Sequence, residues 1–144
     1  MTKRLFVTHN HLSIKPCLNC LVIRMDTIHT HSGLQKEKLW NKEAALSRLG
    51  GNEGLLDRIV EMFLAQITLK QEALQKAATE LNVDAVKFTS HAMKGVSGDV
   101  GADAVREKAA SIENKAKQGD LTDIATDIEE LNSLIERTLI IMQP

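Results

Sequence analysis

A chain of 144 residues, 43% hydrophobic and 26% charged, is long enough for one domain; at this length roughly 70% of the unfolded surface can be buried, so no disulfide or metal staple is required. Its net charge of −1 gives no electrostatic case for nucleic acid or an anionic membrane, and no apolar run approaches the ~20 residues of a membrane span. Cys17 and Cys20 are too few for a secreted disulfide scaffold, and Leu5-Phe6-Val7 is cut short by Thr8, His9 and Asn10, which excludes a signal peptide and makes the cytoplasm the expected location.

Residues 1–35 hold four of the five histidines, both cysteines and Pro16 without sustained periodicity, and read as an irregular leader with at most one short strand or helix over 18–25. A domain over 36–144 follows, free of proline until Pro144. Its first helix is expected over 36–49, with Leu39, Ala45, Leu46 and Leu49 inward, stopped by Gly50-Gly51-Asn52. A long second helix over 53–81 carries the stripe Leu56, Ile59, Val60, Phe63, Leu64, Ile67 and Leu74, spaced by threes and fours. Asn82 or Asp84 caps a third helix over 83–100. Gly101 interrupts, Asp103 is the expected cap of a fourth helix reaching 117, and Gln118-Gly119-Asp120 forms the next turn. The last helix presents Leu121, Ile124, Ile128, Leu131, Ile135 and Met142 at near-heptad spacing. Aromatics are scarce and no strand pattern survives. Short loops between long helices then give an all-α, up-down four-helix bundle with an additional N-terminal helix and the irregular leader.

The third helix is the informative one. At about 100° per residue, Val86, Ser90, Met93, Ser97 and Val100 share the core face, while His91 points away from it. Lys87 lies one turn before His91, Lys94 three residues after, and Gly95 and Gly98 one and two turns after. Two interior glycines cost about 0.5–1 kcal/mol each relative to alanine, and on an outer face core packing gives no reason for them. They would leave a flat groove beside an exposed imidazole flanked by ammonium groups. A neutral imidazole nitrogen is nucleophilic near pH 7, and a phosphoryl group on it would be stabilised by Lys87 and Lys94. Phe88, also outward by the wheel, is either an apolar anchor for a partner or a residue packed under the N-terminal helix.

The run His91-x-x-Lys94-Gly95-x-Ser97-x-x-x-Gly101-Ala102 resembles the signature of the histidine-containing phosphotransfer (HPt) family, with Met93 as a mild departure at its apolar position. Residues 40–51, Trp40 to Gly51, followed by Leu55-Leu56 and Phe63-Leu64, are similar to the family's opening helix, glycine turn and second helix, so the likeness covers about 36–142. The resemblance implies an HPt-like bundle relaying phosphoryl groups between receiver-domain aspartates in a two-component system. It implies His91 as phosphoryl acceptor and donor, Lys94 as the residue orienting the phosphoryl group, and Glu113 as its neighbour. Lys87, Phe88, Gly95 and Gly98 would meet the partner, with Ser97 in support. The partners implied are receiver domains of a hybrid sensor histidine kinase and of a response regulator.

No cofactor is expected in the chain; Mg²⁺ would belong to the receiver, because the clustered carboxylates of such a site are missing. Gly50-Gly51 is a helix stop and nothing resembles a phosphate-cradling loop, so ATP-dependent autophosphorylation is not expected. Met1 and the missing kinase motifs favour a free-standing module. His9-x-His11, Cys17-x-x-Cys20 and His29-x-His31 supply possible metal ligands but match no finger spacing, and no metal is assigned to them. The competing function is an adaptor bundle that binds partners without His91 ever being phosphorylated.

Overall fold

In the computed structural model, residues 39–143 are described; the leader and positions 36–38 of the expected first helix lie outside them. Among the described residues the chain forms helices α1 (Lys42–Arg48), α2 (Glu53–Thr79), α3 (Val83–Val100), α4 (Asp103–Lys117) and α5 (Ile124–Met142), and no strand. Each long helix packs on its neighbours in sequence and α2 closes the ring against α5, giving the expected four-helix bundle with α1 added against α2 and α3. The core takes one stripe from each helix: Phe63 and Ile67 of α2, Val86 and Met93 of α3, Val105 and Ile112 of α4, Leu131 and Ile135 of α5. Of the stripe read on α2, Ile59 and Leu64 are only partly buried at its margins.

The helix ends show why the chain turns where it does. Asn52 caps α2 by accepting from the Leu55 amide at 3.0 Å, and Asn82 caps α3 by accepting from the Ala85 amide at 3.1 Å. Thus Asn82, not Asp84, is the cap. α2 stops at Thr79, two residues earlier than its apolar pattern suggested, because Leu81 adopts a left-handed φ of 52° and the Asn82 amide folds back to Ala77 O at 2.9 Å. Asp103 proves to be the first helical residue of α4 rather than its cap, which is Ala102 without a side-chain bond. Leu121 lies in the turn before α5, where the Asp120 side chain accepts from the Thr122 amide and hydroxyl.

The largest departure is the first helix. It does not run unbroken over 36–49: Leu39 is helical, the chain opens at Trp40 and Asn41, and α1 begins at Lys42 with Asn41 as its cap. The break is held by the end of α3. The Trp40 indole donates to Val100 O at 3.0 Å, and the Asn41 amide donates to Gly101 O at 2.8 Å. Gly101 ends α3 at φ +81°, and a Cβ there would fall 2.5 Å from the Asn41 carbonyl oxygen. Only glycine allows both the left-handed turn and the approach of this strap.

Candidate functional site

The face of α3 toward the core is the one the wheel assigned: Val86, Ser90, Met93, Ser97 and Val100 are all buried. Ser90 satisfies its hydroxyl by donating to Val86 O at 2.7 Å. Ser97, assigned a supporting role, is fully buried on this core face, away from the imidazole, and its Oγ finds no partner. That placement gives it packing rather than a place in the site.

His91 stands on the opposite side with its side chain 66% exposed. One helix over, α4 places Glu113 beneath it. Although only 3% exposed, this carboxylate accepts three bonds: from Lys94 Nζ on Oε2 at 2.5 Å, from Lys117 Nζ on Oε1 at 2.6 Å, and from His91 Nδ1 on Oε1 at 3.0 Å. Lys117 and Lys94 hold the Glu113 carboxyl at about 2 against the opposing effect of burial, with His91 adding to them. An ionised carboxylate only accepts hydrogen bonds. The bond at 3.0 Å therefore requires a proton on Nδ1, and in the neutral form of the ring Nε2 is the nitrogen with the free lone pair.

Lys87, Phe88, His91, Glu113 and Lys117 line one shallow depression at the α3–α4 seam. Lys87 itself pairs with Asp84 at 3.2 Å and stands at the rim. Phe88 is 76% exposed and is not packed under α1, the described part of the N-terminal helix; it lines both this depression and a second one between α2 and α3 lined by Leu69, Lys70 and Ala92 among others. Of the two glycines, Gly95 opens on empty space: a Cβ there would meet nothing within 4 Å. Gly98 differs from the outward reading, since a Cβ would come within 3.3 Å of Arg106 Cδ on α4. It belongs to the helix–helix contact as much as to a groove.

Sequence reasoning missed two members of this surface. Lys117 lies four residues after Glu113 on one helix, a spacing that pairs such side chains, and that signal was available. Exposed Leu69 sits off the buried stripe of α2, and only the packing of α2 on α3 brings it beside Phe88. Among the described residues there is no cluster of three or more His, Cys, Asp or Glu able to hold a metal, and no helix long and apolar enough to cross a membrane.

Comparison with known proteins falls on this same region. Residues 58–139, which include His91, Lys94, Glu113 and Lys117, match the family model of the Hpt domain. Over 80 residues the chain is 29% identical to the phosphorelay protein LuxU of Vibrio cholerae serotype O1, a match covering 56% of this chain and 71% of that relative. No solved structure matched significantly. With more than half its length matched and the helical bundle in place, the chain belongs to the Hpt domain family and is a phosphotransfer protein of a phosphorelay.

Proposed function

We propose that His91 accepts a phosphoryl group from an aspartyl phosphate on one receiver domain and passes it to an aspartate on another. The observation that carries this reading is the His91–Glu113 pair: a buried, ionised carboxylate fixes the Nδ1 proton at 3.0 Å and leaves Nε2 free on an exposed side chain. In the forward step the Nε2 lone pair attacks phosphorus, the bond from phosphorus to the donor carboxylate oxygen breaks, and its electrons leave with that carboxylate. Nδ1 keeps its proton, so the ring becomes a cation while it carries the phosphoryl dianion, and Glu113 faces that new charge. In the second step an aspartate oxygen attacks phosphorus and the N–P electrons return to Nε2. The ring cation makes Nε2 a good leaving group, which suits a carrier that must release what it takes up.

Phosphoryl transfer asks the protein chiefly for positioning and charge stabilisation. α3 supplies the first, because His91 projects from a helix whose opposite face is locked in the core. Lys94, three residues on, supplies the second. Gly95 leaves the approach to Nε2 unobstructed, and Phe88 with Leu69 forms an apolar rim for docking. Gly98 and Lys87 border the same face. The partners in this reading are the receiver domain of a hybrid sensor histidine kinase and that of a response regulator, which would bring Mg²⁺ on their own carboxylates. A cytoplasmic location goes with such partners.

The test is transfer from a phosphorylated receiver to the full chain, read as acid-labile, alkali-stable phosphate. The native chain should take up label and His91→Gln none, with an unchanged melting temperature because the site lies off the core. Labelling of His91→Gln at native stoichiometry would move the acceptor elsewhere. Absence of label in both, with receiver binding intact, would favour an adaptor.

A further inference from the structure

Resting on the phosphohistidine reading, we propose that Lys117 is a positioning residue for the transfer: it holds the Glu113 carboxylate so that Lys94 is able to leave it for the incoming phosphoryl group. The difficulty it resolves is visible in the resting site. Lys94, the cation nearest along the helix to His91, is already engaged with Glu113 Oε2 at 2.5 Å. To serve the phosphoryl group it must give up that bond. Glu113 is 3% exposed, and a buried carboxylate that loses its partners is strongly destabilised or takes up a proton. A protonated Glu113 would no longer be a pure acceptor for Nδ1–H, and the ring cation formed on transfer would lose its counter-charge.

Lys117 is placed to prevent this. It sits four residues from Glu113 on the same helix, so its grip does not depend on movement between α3 and α4. It binds Oε1, the oxygen that also receives His91 Nδ1, whereas Lys94 binds Oε2. Departure of Lys94 therefore leaves the Oε1 arrangement intact. Its side chain is more exposed than that of Lys94, 52% against 34%, which marks it as the outer clamp and Lys94 as the one closed in between the helices. The Lys117 hydrogen bond is also the foremost cause of the low Glu113 value. When the ring is phosphorylated, two ammonium groups and the ring cation balance the carboxylate and the phosphoryl dianion. Without Lys117 one negative charge is left over, and Lys94 stays where it is.

The experiment is a double-mutant cycle on the full chain, with transfer from a receiver domain charged by acetyl phosphate. The rate within the saturated complex and the receiver affinity are measured separately. Lys117→Met should slow the saturated rate about tenfold, the lower end for a lost hydrogen bond to a charged group, with affinity nearly unchanged. Lys117→Arg should restore the rate, since a guanidinium reaches the same oxygen. In a Glu113→Gln background Lys117→Met should change the rate by less than about twofold, the usual margin for independent effects. Equal slowing in both backgrounds would overturn the proposal, because Lys117 would then act on the phosphoryl group or receiver directly. So would an unaltered rate in the single variant, or a loss confined to affinity. Label retained by His91→Gln would instead overturn the phosphohistidine reading and this proposal with it.

Discussion

α4 is joined to its two neighbours by ion clusters of nearly the same design. On the seam with α3, Glu113 lies under Lys94 and Lys117. On the seam with α5, Asp127, also buried, accepts from Lys108 at 2.8 Å and Lys115 at 2.6 Å, and Lys108 also reaches Glu130. Burial pushes Asp127 up, but Lys108 and Lys115 more than offset it and hold the carboxyl below its ordinary range. What differs is the third partner. Glu113 has the exposed imidazole of His91 and an open glycine face beside it, whereas Asp127 has only another carboxylate across Lys108. A buried carboxylate clamped by lysines is thus a structural device in this bundle, and it becomes a functional one only where it grips a nucleophile.

Removing each carboxylate should separate the two uses. Asp127→Ala leaves Lys108 paired with Glu130 alone and lets Lys115 turn to water, so it should cost about 2 kcal/mol, below the ~3–5 kcal/mol of a buried charge left without any partner. Transfer by the folded fraction should stay normal. Glu113→Gln keeps the shape and frees two lysines that reach solvent. It should cost about 3 kcal/mol, because a carboxyl lowered from 4.5 to about 2 carries ~1.4 kcal/mol per unit, and it should also slow transfer by about 10- to 100-fold, the range for a lost charged hydrogen bond. Denaturant unfolding paired with single-turnover transfer decides between the two seams. A transfer defect in Asp127→Ala as large as in Glu113→Gln would erase the distinction.

Acid sharpens it further. The Glu113 carboxyl falls from an ordinary 4.5 to about 2 on folding, so the stability it contributes is fully present above pH ~4.5 and is lost as pH falls toward 2. Asp127, also lowered, adds to the same acid limb. Unfolding curves of the native chain and of Glu113→Gln should therefore differ at pH 7 and converge between pH 4.5 and 2. A gap that persisted at pH 2 would mean that Glu113 acts through packing, not charge.

The bundle was legible in the sequence because apolar spacing reports burial directly: the core face of α3 emerged residue for residue. Contacts that join distant segments were not. Gly101 stood out as an interruption and as part of the family signature, but nothing in its neighbourhood shows that the Asn41 carbonyl lies against it, sixty residues away along the chain. The same holds within the site. His91, Lys94 and Gly95 share one helix and could be placed on a wheel, while the bonds that His91 and Lys94 donate to Glu113 depend on how α4 lies against α3. Only the Glu113–Lys117 pair, local to α4, could have been foreseen from spacing.

The smallest effects test how far the open part of the α3–α4 seam extends. Gly95 and Gly98 looked alike as outward helical glycines, yet their surroundings differ: open space beside Gly95, the Arg106 side chain 3.3 Å from a Cβ at Gly98. Gly95→Ala should stabilise the free chain by about 0.5–1 kcal/mol, the helix-propensity difference, with no contact to offset it. At Gly98 the same gain is opposed by displacement of Arg106, whose Cδ belongs to a flexible side chain, so Gly98→Ala should stabilise less, between about 0 and 0.5 kcal/mol. Transfer separates them more sharply. Gly95→Leu should fold and yet obstruct a receiver's approach to His91, slowing transfer while the melting temperature holds. If Gly95→Ala destabilised, or if Gly95→Leu transferred at the native rate, the open face beside His91 would not be where the partner docks, and the two seams of α4 would differ only in the histidine.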